Sequence, residues 1–118
     1  MNLLTKNKLN MSKKTLIIIT TCPNSEEAIR LTEKIISNSL AACVNRFDNM
    51  SSSFLWKSKI HNEKESLLII KTIDEKYQEI EALIKKMSSY ELPEIIAIPI
   101  MKGSFEYLNW VEENVSIE

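Results

Sequence analysis

The chain has 118 residues, the size of one domain, and 44% of them are hydrophobic, as is usual for a soluble globular protein. Its 15 Lys and Arg residues nearly balance 16 Asp and Glu residues, so a net charge of -1 gives no electrostatic basis for binding nucleic acid. No apolar run approaches the roughly 18–20 residues that cross a bilayer, so we expect no membrane partner and a cytoplasmic location.

The N-terminal stretch MNLLTKNKLNMSK is polar and basic. Its two adjacent leucines, Leu3 and Leu4, are too few for the apolar segment of a signal peptide. We therefore predict that residues 1–13 are a disordered N-terminal tail, or the product of a translation start upstream of Met11, and that residues 14–118 form one folded domain.

The first half of the domain reads as a strand, a helix and then a meander. Residues 15–22, TLIIITTC, are rich in β-branched side chains without polar alternation, which predicts a strand buried on both faces. A helix is predicted from about Asn24 to Asn38, since Asn24 or Ser25 can cap it and apolar residues recur at helical spacing. The meander is predicted as strands 40–47, 54–60 and 66–72, separated by polar turns at 48–53 and 61–65.

The second half supplies two more helices and one more strand. A helix is predicted over residues 74–87, with Asp74 as a possible cap. The stretch YELPEIIAIPI then reads as a buried strand whose limits are marked by Pro93 and Pro99. Gly103 and Ser104 precede a short final helix.

The order β-α-β-β-α-β, with a short C-terminal helix added, matches the ferredoxin-like split βαβ pattern of the α+β class. That pattern places both long helices on one face of an antiparallel sheet. Strands 15–22 and 66–72 are nevertheless apolar on both faces, and we expect a domain this small to be unable to cover the second face by itself. Another copy of the same sheet is the economical cover, so the pattern predicts oligomerisation.

Five motifs in register carry a family resemblance. They are LAACVN (40–45), FLWKSKI (54–60), LLIIKT (67–72), YELPEIIAIPI (90–100) and YLNW (107–110). With these motifs, residues 14–112 resemble the CutA family, the divalent-cation tolerance proteins.

The resemblance implies a ferredoxin-like fold assembled as a homotrimer, similar in architecture to PII-type signalling proteins. It implies a binding or signalling function associated with tolerance to divalent metal ions, copper in particular, and no known catalytic reaction. We expect no enzyme on other grounds as well, because the chain has one glycine, no phosphate-binding loop and a single histidine, His61, in a predicted polar turn.

The chain departs from the family where metal ligands are expected. Met87 and Ser88 stand where histidine is common in members linked to copper, and Ser89 replaces a proline. Thr20 stands where some members have a cysteine, and Ser58 replaces the glycine of the W-x-G-K segment. Because imidazole and thiolate ligands suit copper, these replacements weaken the expectation of a metal site built from the family's own ligands.

The resemblance also places Tyr90 and Glu94 at a cleft between subunits, and we expect Lys71 and Trp56 to line the same cleft. A tyrosine and a carboxylate can orient a small polar ligand or a hard cation. The alternative is a local role, in which Glu94 accepts hydrogen bonds at the start of the strand.

Cys22 and Cys43 are candidate metal ligands, with Met87 as a possible third soft ligand. Cys22 ends a predicted strand and precedes a helix N-terminus, a position that lowers the pKa of a thiol. The alternative for both cysteines is packing as small apolar residues. No cofactor is implied beyond a divalent metal or copper ion. A direct Cu(I)-binding protein and a trimeric scaffold for a partner protein, with the tail 1–13 as its handle, remain open as alternative functions.

Overall fold

The computed structural model describes residues 15–115, so the predicted tail over residues 1–13 lies outside the described part of the chain. The architecture is a four-stranded antiparallel sheet with helices, which confirms the predicted α+β class. The elements in chain order are β1 (Thr15–Cys22), α1 (Ser25–Ser37), β2 (Cys43–Trp56), β3 (Lys59–Ile73), a 3₁₀ turn (Asp74–Lys76), α2 (Tyr77–Met87), β4 (Ile95–Pro99) and α3 (Phe105–Glu113).

The sheet order is β2-β3-β1-β4, the arrangement that the split βαβ pattern predicts. The main core lies between the sheet and the first two helices, because the even-numbered residues of β1 and β3 point toward α1 and α2. Its fully buried members include Ile18, Leu68, Ile35 and Ile80. We call the opposite face of the sheet, formed by the odd-numbered residues of β1 and β3, the open face.

Local sequence explains two of the three helix starts. Asn24 accepts a hydrogen bond from the backbone N–H of Glu27 at 2.9 Å, and Ser104 accepts one from the N–H of Tyr107 at 3.1 Å. The predicted cap at Asp74 is wrong, because this residue lies in the 3₁₀ turn and α2 begins at Tyr77 without a side-chain cap.

The predicted turns at 48–53 and 61–65 are also wrong, since both segments continue long strands of one hairpin. Their polar side chains pair across the strands instead, with Lys64 donating to Ser51 Oγ at 2.7 Å. The chain reverses at Lys57 and Ser58, whose φ values of 52° and 67° are those of a two-residue type I′ turn. Composition misled here because exposed strands use the same serines and asparagines as turns.

A β-bulge at Asp48 and Asn49 determines which face the outer half of β2 presents. Asn49 has φ of 62°, and the pairing register shifts between Phe47 and Met50. An extra residue in one strand reverses the in–out alternation beyond it. Phe54 therefore shares the open face with Phe47, although one has an even number and the other an odd number.

The open face is covered at one end only. Helix α3 packs there, so that Val111 and Ile73 are fully buried and the chain covers this end of the face by itself. Elsewhere apolar side chains face outward, and Phe47, Ile96 and Ile98 are 66%, 48% and 43% exposed. The strand within YELPEIIAIPI is thus an edge strand with exposed apolar residues rather than a buried one. Within residues 15–115, no helix combines the length and the apolar composition that a bilayer crossing requires.

Candidate functional site

A groove of about 670 Å³ lies between the outer half of the β2–β3 hairpin and the loop that precedes β4. Three of the predicted cleft residues, Trp56, Tyr90 and Glu94, line it together. The β-bulge described above is the reason that Trp56 points into this groove. A groove of this volume is within the usual size range of small-molecule sites.

The hydroxyl of Tyr90 donates a 2.6 Å hydrogen bond to Glu65 Oε2 at the inner end of the groove. Glu65 is only 9% exposed. Burial and the neighbouring Glu65 carboxylate raise the pKa of Tyr90 well above its ordinary value, so the phenol stays protonated and remains a donor.

Backbone hydrogen bonds hold the loop that carries Tyr90. The N–H of Ser89 donates to Glu27 Oε2 at 3.1 Å, and the N–H of Tyr90 donates to Ser88 Oγ at 3.1 Å. Because Glu27 lies in the first turn of α1, it connects the loop to that helix N-terminus. The orientation of the Tyr90 ring is therefore determined by α1 and β3 together.

Cys22 lies behind this hydrogen-bonded cluster and is 2% exposed. Burial, together with the charges of Glu27 and Glu65, raises the pKa of the Cys22 thiol to about 11. Of the two interpretations offered for Cys22, packing as a small apolar residue agrees with this burial and raised pKa, and a thiol activated by the helix N-terminus does not.

A small closed recess beside Cys22 is lined by Met87, Ser88 and Thr20, among others. The Thr20 hydroxyl is buried and has no hydrogen-bond partner within the described part of the chain. The recess brings two soft sulfur ligands, Cys22 and Met87, to the same place. It has essentially no empty volume for a further atom.

Two predicted site residues lie elsewhere. Cys43 and Lys71 are register partners on the open face, at the end of β3 remote from Glu65. Lys71 Nζ lies 5.7 Å from the centre of the Tyr107 ring, and six residues of strand, roughly 20 Å, separate Lys71 from Glu65. Lys71 therefore does not join the groove of its own chain, and Cys22 and Cys43 lie on opposite faces of the sheet and do not converge.

Two groove residues were missed from sequence. Glu65 and His61 were assigned to a turn, whereas both lie in β3, where the His61 ring stacks on Phe54 at 5.5 Å. Period-2 alternation counted back from Leu67 would have placed Glu65 and His61 on one face. Across residues 15–115, no group of three or more His, Cys, Asp or Glu side chains is arranged to hold a metal ion.

Comparison with known proteins relates the whole described domain to one family. Residues 16–114 match the family model described as CutA1 divalent ion tolerance protein. The divalent-cation tolerance protein CutA of Archaeoglobus fulgidus is 43% identical over 98 residues, which cover 83% of this chain and 95% of that protein. The chloroplastic protein CutA 1 of Oryza sativa is 37% identical over 84% of this chain, and the chain spans only 56% of that relative's length.

Solved structures agree with these matches. The crystal structure of CutA1 from Oryza sativa has a TM-score of 0.85 and 35% identity, and it covers 89% of this chain and 96% of that one. The Archaeoglobus fulgidus CutA structure, described as periplasmic, has a TM-score of 0.83 and 41% identity, covering 86% of this chain and 99% of that one. The relatives' names refer to tolerance of divalent ions and not to an enzymatic activity.

Proposed function

Since this chain belongs to the CutA family of divalent-cation tolerance proteins, we propose that it acts as a homotrimeric, non-catalytic binding protein of the cytoplasm. Its role in this proposal is tolerance to divalent metal ions, copper among them. Each chain contributes the groove at Tyr90 as a ligand site.

The observation that carries the proposal is the uncovered part of the open face. Ile96 and Ile98 are nearly half exposed there, next to half-buried residues of β1 and β3. Apolar side chains on a continuous sheet face favour burial against a partner. A second copy is the partner of choice because the same chain then supplies both surfaces.

The strand edges support a closed ring. β2 and β4 are the two edges of the sheet, and each has one unpaired side. Exposed edges favour pairing with another strand. If the β2 edge of one copy pairs with the β4 edge of the next, each contact joins two different surfaces. A closed ring of copies then leaves neither edge unpaired.

Light scattering on the purified full chain at micromolar concentration tests the assembly. We expect three times the 13.6 kDa mass of the chain. A monomer at that concentration would reject the trimer.

Growth of a metal-sensitive, CutA-deficient strain in copper or another divalent metal tests the biological role. We expect the wild-type chain to restore growth and an assembly-deficient variant to fail. Equal growth with and without the wild-type chain would reject a role in metal tolerance.

Direct binding of Cu(I) is a second candidate function because Cys22 and Met87 line one recess, and thiol and thioether ligands suit Cu(I). Its cost is the deprotonation of a thiol whose pKa is about 11, together with a rearrangement of the filled recess to admit the ion. Competition titration with a Cu(I) chelator should show weaker binding by Cys22→Ser and unchanged binding by Cys43→Ser. Equal affinity of wild type and Cys22→Ser would reject this function.

A further inference from the structure

The Glu65 carboxylate is buried and has no cationic partner among residues 15–115 of its own chain. Its side chain accepts a hydrogen bond from Tyr90, and across residues 15–115 no lysine, arginine or histidine lies within ion-pair distance of it. A buried carboxylate is costly unless it is paired and fully hydrogen-bonded. One phenol donor supplies a single hydrogen bond and no positive charge.

Glu27 is the other buried glutamate near the groove, and its surroundings differ. It lies in the first turn of α1, where the helix dipole favours a negative charge, and it accepts the backbone N–H of Ser89. Glu65 lies in the middle of a β-strand and has no such compensation. Within the single chain, Glu65 is therefore the glutamate of this pair that lacks both a positive charge and a helix N-terminus.

The walls of the groove combine aromatic rings with further acids. Trp56, Tyr90 and the stacked pair Phe54–His61 present ring surfaces, while Glu94 adds another carboxylate. Lys64 also belongs to the lining, and its ammonium group donates to Ser51 Oγ at 2.7 Å. Aromatic faces and carboxylates together are the chemistry that recognises an alkylammonium group.

We propose that this groove, the ligand site of the proposed function above, binds a small aliphatic amine. Its ammonium group pairs with Glu65, and its methylene groups lie against Trp56 and Tyr90. A hard divalent cation is a poorer fit, because such ions need several converging oxygen ligands, and no group of three or more His, Cys, Asp or Glu side chains among residues 15–115 is arranged to hold a metal ion. The volume of about 670 Å³ accommodates a short diamine with its bound water.

Isothermal titration of the purified full-length protein with putrescine tests the proposal, and 1,4-butanediol serves as the uncharged probe of equal chain length. Glu65→Gln keeps an acceptor for Tyr90 and removes the charge. We expect putrescine to bind the wild type, the diol not to bind, and Glu65→Gln to weaken putrescine binding at least about tenfold. Glu33→Gln, an exposed change on α1, is the matched control and should leave the affinity unchanged.

Glu94→Gln keeps the test decisive if Glu65→Gln fails to fold, because Glu94 is exposed and its replacement leaves the buried residues in place. We expect it to weaken putrescine binding by a smaller factor and to reduce the salt dependence of binding. Absence of putrescine binding by the wild type, or equal binding by wild type and both groove variants, would overturn the proposal.

Light scattering on the same samples separates this proposal from the proposed function. A trimer that does not bind putrescine leaves the assembly standing and rejects the amine. A monomer that binds putrescine through Glu65 rejects the trimer and supports the amine site.

Discussion

Tyr90 and Glu65, 25 residues apart in the chain, are joined by a hydrogen bond of 2.6 Å between the phenol and a carboxylate oxygen. The bond connects the loop before β4 to the centre of β3. It forms the inner end of the groove and holds the phenol in its protonated form, since burial and Glu65 both raise the pKa of Tyr90.

Replacing Tyr90 by Phe should destabilise the fold, because Glu65 would remain buried without its donor. We expect a loss of about 1–3 kcal/mol in the free energy of unfolding, measured by urea denaturation. Tyr77→Phe is the matched control, since that phenol bonds at 3.1 Å to Glu81 within one helix. An equal loss in the two variants would contradict a special role for the Glu65 bond.

The order of elements could be predicted from sequence because apolar periodicity distinguishes strands from helices. The hairpin and the bulge could not, since serine and asparagine are typical turn residues, and it is cross-strand pairing such as the 2.6 Å hydrogen bond from Ser53 to Asn62 that makes these segments strands. The hairpin and its bulge form the groove, so apolar periodicity could not predict it. Tyr90 and Glu94 were assigned to a cleft by family resemblance, whereas Glu65 was missed because its segment was assigned to a turn.

Replacing Ser58 by Gly should stabilise the hairpin. Ser58 has φ of 67°, a conformation in which a Cβ atom is unfavourable and glycine is not. We expect a gain of about 0.5–1 kcal/mol in the free energy of unfolding, because the relief of backbone strain exceeds the added entropy of the unfolded chain. The control Ser52→Gly, within β2, should lower the free energy of unfolding by a similar amount. A lower free energy of unfolding for Ser58→Gly would contradict backbone strain at this residue.

Asp48 in the bulge should make stability depend on pH in the acid range. Hydrogen bonds from Ser66 at 2.7 Å and from Arg46 at 3.1 Å hold the pKa of Asp48 below its ordinary value of 3.8. A carboxylate with a lowered folded pKa contributes stability above its unfolded pKa, and this contribution is lost as pH falls through the folded pKa.

Unfolding of wild type and Asp48→Asn should therefore be compared from about pH 7 to about pH 2. We expect the wild type to be more stable at neutral pH and the difference to shrink below the ordinary pKa of Asp48. The Ser66→Ala background removes the largest cause of the lowered pKa, so the pH-dependent part should be smaller there. If the difference in stability between wild type and Asp48→Asn stayed constant across this pH range, the Asp48 carboxylate would not be a source of the pH dependence.

Cys22 should be almost inert toward thiol reagents in the folded protein. With a pKa of about 11, fewer than about one thiol in a thousand is ionised near neutral pH, and the side chain is 2% exposed. Alkylation by iodoacetamide, followed by mass spectrometry, should modify Cys22 at least about a hundredfold more slowly in buffer than in concentrated urea. Equal rates in the two solvents would contradict the burial of this thiol.

Ile98 should be essential to assembly if the open face is the contact between copies. It lies on edge strand β4 and is 43% exposed in the single chain, whereas Ile36 on α1 is 42% exposed on the other side of the molecule. The two isoleucines are matched in type and exposure, so Lys at either position changes the single chain to a similar extent. Ile98→Lys would place a charge against an apolar partner surface, where an unpaired charge is strongly disfavoured. We expect light scattering to show a lower mass for Ile98→Lys and an unchanged mass for Ile36→Lys.

The Ile98→Lys variant should also become less stable as it is diluted, since folding and association are coupled when assembly buries the sheet face. If both variants kept the wild-type mass, the open face would not be the contact, and the edges of β2 and β4 alone would have to hold the copies together.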